Sequence, residues 1–150
     1  MANQSKVTVK FKMLEGCQDI VPRKAHHDDA AFDIMASETL VLEPQISKLV
    51  PTGLFIELPT HYEAQIRPRS GLAIKHNLTV TNSPGTVDAG YRGMINVIML
   101  NAGNESYQIK RGDRIAQMVI QKLPEVEMIQ VENLSESKRG SGGFGSTGKH

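Results

Sequence analysis

The 150-residue sequence holds one cysteine, Cys17. A single thiol excludes an internal disulfide framework and a zinc site built from cysteines, and leaves Cys17 as an ordinary thiol. Charge of either sign is not in excess. The formal net charge of +1 gives no bulk field that would steer nucleic acid or a membrane surface. No apolar run approaches the ~20 residues that a membrane helix needs, and residues 1–13, MANQSKVTVKFKM, carry no apolar segment of signal-peptide type. These absences lead to the expectation of a soluble, cytoplasmic protein without nucleic-acid or membrane partners.

Helical periodicity is also scarce; the dominant period is two. Val7, Val9, Phe11 and Met13 alternate with Thr8, Lys10 and Lys12, as in a half-buried strand. Short runs follow at Thr39–Leu42, Lys48–Val50, Leu54–Leu58, Glu63–Arg67, Leu78–Thr81, Met94–Leu100, Tyr107–Lys110 and Ile115–Ile120, with Val126–Val131 as a further candidate. Their spacing of about 8–12 residues, with Pro, Gly and Asn turns between them, is that of a sandwich, jelly roll or barrel. Ser70–Asn77 reads as one short helix, with Ser70 able to cap its start and Asn77 able to turn left-handed at its end. The length suits one domain with a sizeable core. The composition shifts near Glu132, so residues 1–131 are expected to form the β domain and residues 132–150 a flexible glycine-rich C-terminal arm.

That arm contains Gly143–Lys149, GFGSTGK, which is nearly a P-loop. A P-loop sits between a strand and a helix and ends in a Ser or Thr that meets Mg²⁺. Here the preceding segment is polar, no helical pattern follows and His150 succeeds Lys149. A spacer, or an arm that closes on an anion, remains. Phe144 between glycines and the leading Arg139 fit the closing arm better, since a ring can stack and glycine backbone can approach phosphate.

Four further stretches carry polar groups suited to chemistry. Arg67–Ala73, RPRSGLA, sets two arginines before a helix start, which suits a phosphate or merely a capped surface helix. Asn82–Gly93, NSPGTVDAGYRG, reads as a hairpin-like connection with Asp88 and Tyr91 near its end; Asn82 offers an amide that can pair with a pyrimidine edge. In Arg111–Gln117, RGDRIAQ, Asp113 and Arg114 could pair with each other and Gln117 could be a satisfied inner polar residue. His26–Asp33, HHDDAAFD, could gather a metal or form a polar loop; Asp33 stands apart because it enters an apolar segment, where a carboxylate needs a partner.

In this order on an all-β chain, five stretches together resemble the motifs of the trimeric dUTP pyrophosphatases, the dUTPases: AAFDIMA at Ala30–Ala36, RPRSGLA at Arg67–Ala73, NSPGTVDAGYRG at Asn82–Gly93, RGDRIAQMVI at Arg111–Ile120 and RGSGGFGSTG at Arg139–Gly148. They span nearly the whole chain. The resemblance implies a jelly-roll subunit, a homotrimer with active sites at subunit interfaces, and Mg²⁺-dependent hydrolysis of dUTP to dUMP and pyrophosphate. By the same resemblance Asp88 activates or orients water for attack on the α-phosphorus, and Gln117 helps to hold that water. Asp33 acts through water near a Mg²⁺ held mainly by the substrate's phosphates. Arg69, Ser70 and Gly71 hold phosphate oxygens. Asn82 and the backbone of Gly85, Thr86 and Val87 read uracil, Tyr91 lies under the deoxyribose, and Asn96 adds a contact to the base. In the arm, Phe144 covers the uracil, while Arg139, Gly145, Ser146, Thr147 and Gly148 close over the phosphate end.

The sequence departs from the family pattern at Ala31, where a glycine is usual, and at Met94, where an acidic residue is common. The nearest rival, a dCTP deaminase of the same fold, needs a general-base glutamate on the strand after the third motif. That strand reads INVIML at Ile95–Leu100 and holds none. A dUTP-binding regulator that does not turn over is the rival from another class; Asp88 and Gln117 together argue for turnover.

Overall fold

The computed structural model describes residues 6–144. Ten strands and one helix follow in chain order: β1 Lys10–Met13, β2 Phe32–Met35, β3 Leu40–Leu42, β4 Ser47–Glu57, β5 Tyr62–Arg67, α1 Ser70–His76, β6 Leu78–Val80, β7 Gly85–Val87, β8 Ile95–Asn101, β9 Tyr107–Ile109 and β10 Arg114–Lys122. Two antiparallel sheets form, one ordered β1-β4-β8-β6 and the other β2-β10-β5-β7, with β3-β9 as a two-stranded piece. The expected all-β jelly roll is present, with open sheets rather than a closed barrel. No helix among the described residues is long and apolar enough to cross a membrane.

Period two explains the core. In β8 the side chains of Ile95, Val97, Met99 and Asn101 are buried while the residues between them are only half-buried. Ile95, Val97 and Met99 join Ile34, Val50, Leu54, Ile66, Val80 and Met118 in one cluster. Each such apolar side chain contributes roughly 1.5–3 kcal/mol of burial. The buried Asn101 is fully engaged: its amide donates to the carbonyls of Leu42 (3.0 Å) and Glu105 (2.8 Å), and its oxygen accepts from Gly103 N–H (2.9 Å).

Lys48–Val50 and Leu54–Leu58 read as two strands in the sequence because Pro51 and Gly53 separate them. The structure joins them in β4, with a register shift against β8 between Pro51 and Leu54. The buried Thr52 stabilises this bulge by donating to Ile95 O (2.5 Å) and accepting from Leu54 N–H (3.2 Å). Gly53 has φ +69°, and an added Cβ would stand 2.9 Å from Cys17 Sγ. Both conformation and space require glycine there.

Three sequence expectations are corrected. Residues 7–9 lie outside the ladder, since β1 begins at Lys10 opposite Glu57. Val126–Val131 forms no strand: it has no ladder partner among the described residues, and Val126, Met128, Ile129 and Val131 are exposed. The helix is not capped by Ser70. Arg69 occupies the N-cap position in extended conformation, with no side-chain cap hydrogen bond. Asn77 is left-handed at φ 55°, as expected, and its N–H closes onto Ala73 O and Leu72 O.

Candidate active site

The site residues fall into two groups. The first lies where β2, β10, β5 and the start of α1 meet. Ladder register places Asp33 opposite Gln117 and Gln117 opposite Arg67 in one row across three strands. The Asp33 side chain is 17% exposed, and its two oxygens face different arginines: Arg69 Nε stands 3.3 Å from Oδ1 and Arg114 Nη1 3.2 Å from Oδ2. This supplies the partners that a carboxylate in an apolar segment needs. Arg69 Nη1 also donates to Arg114 O at 2.9 Å, so the two arginines are tied to each other as well as to Asp33. Gln117 Nε2 donates to Pro68 O (2.8 Å), which fixes the amide against the loop before α1.

Because Ser70 does not cap the helix, its exposed hydroxyl is available at this cluster. An added Cβ at Gly71 would meet nothing within 4 Å, so a ligand can approach that backbone closely. Sequence reasoning missed the role of Arg114, for which a pair with Asp113 was one open reading. Asp113 instead accepts from Lys110 N–H at 2.9 Å, closing its own turn. The strand period held the signal: Arg114 opens β10, beside β2, in register with Met35.

The second group is built on the connection from β6 to β8. That connection leaves one sheet, pairs as β7 with β5 of the other and returns. Between the sheet edges Asn82, Gly85, Thr86, Val87 and Asn96 line a cavity of about 60 Å³, backed by Ile66 and Val80. An added Cβ at Gly85 would lie 3.3 Å from Ile66 Cβ and 3.4 Å from Asn82 Nδ2, so the glycine leaves space for the Asn82 amide. Beyond β7, Tyr91 N–H donates to Asp88 O (3.1 Å) and closes a turn, which Arg92 clasps through Ala89 O (2.6 Å) and Tyr91 O (3.1 Å). Arg92 is a second organising residue that sequence reasoning passed over. The Tyr91 hydroxyl donates to Met94 O (3.0 Å), and Asn96 Nδ2 donates to the same carbonyl (3.2 Å). Asp88 and Tyr91 are exposed along a shallow cavity of about 280 Å³ that also contacts Thr86 and Asn96.

The two groups do not meet within the chain. Val87 pairs with Ala64, so Asp88 falls level with Glu63, whereas Gln117 pairs with Arg67 on the other side of β5. Four residues along β5 and two strand spacings across it separate Asp88 from Gln117 by roughly 16 Å.

The described part of the arm, residues 132–144, makes no hydrogen bond to either group. Arg139 Nε donates to Gly142 O (2.7 Å), and Phe144 is fully exposed. Gly145, Ser146, Thr147 and Gly148 lie outside the described residues. The loop at His26–Asp29 is held locally, with His26 N–H donating to Asp29 Oδ2 at 2.7 Å. Among the described residues no group of three or more His, Cys, Asp or Glu side chains could hold a metal. Arg111 of the RGD turn is consumed by a bidentate pair with Asp19 (2.8 and 2.6 Å) and by Gly16 O (2.7 Å).

Comparison with known proteins bears on the family and the fold. A family profile described as dUTPase matches residues 18–148. The deoxyuridine 5'-triphosphate nucleotidohydrolase of Gloeothece citriformis is 57% identical over 129 residues, covering 86% of this chain and 89% of that one. The dUTPase of Staphylococcus bacteriophage 80alpha, solved with dUPNHPP, superposes with a TM-score of 0.86 at 32% identity, covering 94% of this chain and 98% of that one. A mutant dUTPase from phage phi11 of S. aureus, whose structure shows the coordination of a structural Mg(II) ion, gives a TM-score of 0.77 at 29% identity, covering 84% and 97%. With the motif residues on the same fold and the profile spanning most of its length, the chain belongs to the dUTPase family.

Proposed function

We propose that this chain hydrolyses dUTP to dUMP and pyrophosphate with Mg²⁺, in the cytoplasm, at sites completed between the subunits of a homotrimer. Such an enzyme lowers dUTP and supplies dUMP for thymidylate synthesis. The observation that carries the reading is the coexistence, in one dUTPase-family chain, of two half-sites. One is an arginine–carboxylate cluster suited to phosphate; the other is a small amide-lined cavity suited to a pyrimidine.

In this reading Asn82 and the backbone of Gly85, Thr86 and Val87 pair with the uracil edge, and Asn96 adds a contact to the base. The narrow cavity beside β7, about 60 Å³, favours uracil over the bulkier thymine. Tyr91 packs under the deoxyribose and disfavours a 2′-hydroxyl. Arg69, Ser70 and Gly71 receive phosphate oxygens, where the planar guanidinium fork fits them well. Asp88 orients or takes a proton from the attacking water, and Gln117 helps to hold it, so that displacement at the α-phosphorus is in line with the departing pyrophosphate. This is catalysis by positioning and charge stabilisation.

Both Asp33 oxygens already face arginines, so the residues present suit a Mg²⁺ carried in on the nucleotide's phosphates, with Asp33 reaching it through water. When bound, the ion would neutralise charge on the phosphate oxygens. Arg139, Phe144, Gly145, Ser146, Thr147 and Gly148 would close over the substrate from a neighbouring chain. The twelve residues from Arg139 to His150 can reach ~40 Å when extended.

Assembly is supported by two features. Asp88 and Gln117 cannot meet one water within a chain when they stand roughly 16 Å apart. The exposed Val126, Met128, Ile129, Val131 and Leu134 form an apolar segment of the kind that partner chains cover. The decisive assay incubates the pure protein with Mg²⁺ and each deoxynucleoside triphosphate. Pyrophosphate released from dUTP alone supports the reading. Ammonia from dCTP would replace it with a deaminase, and tight dUTP binding without turnover would replace it with a regulator.

A further inference from the structure

We propose that Arg114 is a positioning residue of the phosphate half-site: it shares the charge of Asp33 and so leaves the charge of Arg69 less compensated toward its ligand. The inference rests on the reading that Arg69 receives phosphate.

The geometry is a three-sided lock. One carboxylate lies between two guanidiniums, at 3.3 Å from Arg69 Nε and 3.2 Å from Arg114 Nη1. A second link closes it, from Arg69 Nη1 to Arg114 O at 2.9 Å. Arg69 is thus held through Nε and Nη1, and its Nη2 makes no hydrogen bond among the described residues. Arg69 is 25% exposed and Asp33 17%, so their mutual attraction is only partly screened by water. A lone Asp33–Arg69 pair would be neutral, and any phosphate would have to compete with the carboxylate for the fork. With Arg114 on the other oxygen, the trio carries a net charge of +1, and the carboxylate's field is divided between two cations. Arg114 need not touch the ligand to act; its side chain is 48% exposed and is directed at Asp33 Oδ2. The alternation of β2 and β10 makes this possible, because Asp33 and Arg114 meet across one ladder.

The test measures binding of inorganic pyrophosphate, in the presence of Mg²⁺, to the full-length protein by calorimetry. Four variants are compared with the wild type: Arg114→Ala, Arg114→Lys, Asp33→Asn and the double Asp33→Asn/Arg114→Ala. Arg114→Ala is expected to weaken binding ~10-fold, the scale of losing one partner of a half-buried charge pair. Arg114→Lys, which restores the charge, is expected to recover binding to within ~2-fold. In the Asp33→Asn background, removing Arg114 should cost less than ~2-fold, because no carboxylate remains to capture Arg69. Equal losses in both backgrounds would show direct contact with pyrophosphate and overturn the proposal. An unchanged affinity in Arg114→Ala, or a wild type that does not bind pyrophosphate, would also overturn it. If Arg114→Ala does not fold, Arg114→Gln keeps the side-chain length without the charge and takes its place in the cycle. A protein that shows this pattern yet leaves dUTP intact would retain the charge-sharing role and lose only the proposed activity.

Discussion

Asp88 and Gln117 stand level with opposite ends of β5: Asp88 follows the Val87–Ala64 pair, and Gln117 lies opposite Arg67. If both serve one water, they come from different chains. Asp88→Asn and Gln117→Ala proteins should each be nearly inactive, yet regain activity when refolded or co-expressed together. Random mixing in a cyclic trimer would restore about one quarter of the sites. Mixed preparations as inactive as their parents would place the water site within one chain.

Gly93 lacks a left-handed φ, so its backbone does not demand glycine, but an added Cβ would fall on the Tyr91 ring. Gly93→Ala should therefore displace Tyr91 and loosen the Tyr91–Met94 hydrogen bond. Its effect on sugar choice should parallel that of Tyr91→Ala, with kcat/KM for UTP rising relative to dUTP by about 10-fold. An unaltered ratio in both variants would remove Tyr91 from ribose exclusion.

Gly53 combines φ +69° with a close approach to Cys17 Sγ. Gly53→Ala should lower stability by about 1–3 kcal/mol, as expected for a non-glycine residue in the left-handed region. Adding Cys17→Ala should relieve the crowding but not the backbone strain, so thermal melts should show only partial recovery.

The Arg111 guanidinium beside Asp19 holds that carboxyl down at about 2, below its ordinary value of 3.8. The folded pKa is depressed, so the pair's contribution to stability is present above pH ~4 and disappears as pH falls through about 2. Acid unfolding should thus show wild type and Asp19→Asn diverging above pH ~4 and converging below about 2. A constant offset across that window would disconnect the pair from the acid transition.

Much of the fold could be read along the chain because β-strands announce themselves by alternation. β8 shows it clearly, since alternate residues of it are buried in the core. β4 was misread as two strands because a bulge at Thr52 and Gly53 interrupts the period, and only a facing strand reveals that the ladder continues. Val126–Val131 is apolar enough to read as a strand too, but composition does not supply a partner, and among the described residues none is present.

The candidate site divides in the same way. Local chemistry fixed the residue types: an amide near Gly85, an Asp and a Tyr on one turn, arginines before a short helix. Their order along an all-β chain resembled one family, and comparison placed the chain in it. Which residues touch was decided by ladder register between segments far apart in sequence. Along the chain Arg114 could have paired with neighbouring Asp113, yet its charge is met by Asp33, 81 residues away. Ser70 looked like a helix cap until Arg69 took that position. Sequence determines which groups are available and where the chain can turn. Tertiary structure decides which groups neutralise one another, because Coulomb and hydrogen-bond energies depend on distances in space that strand pairing sets.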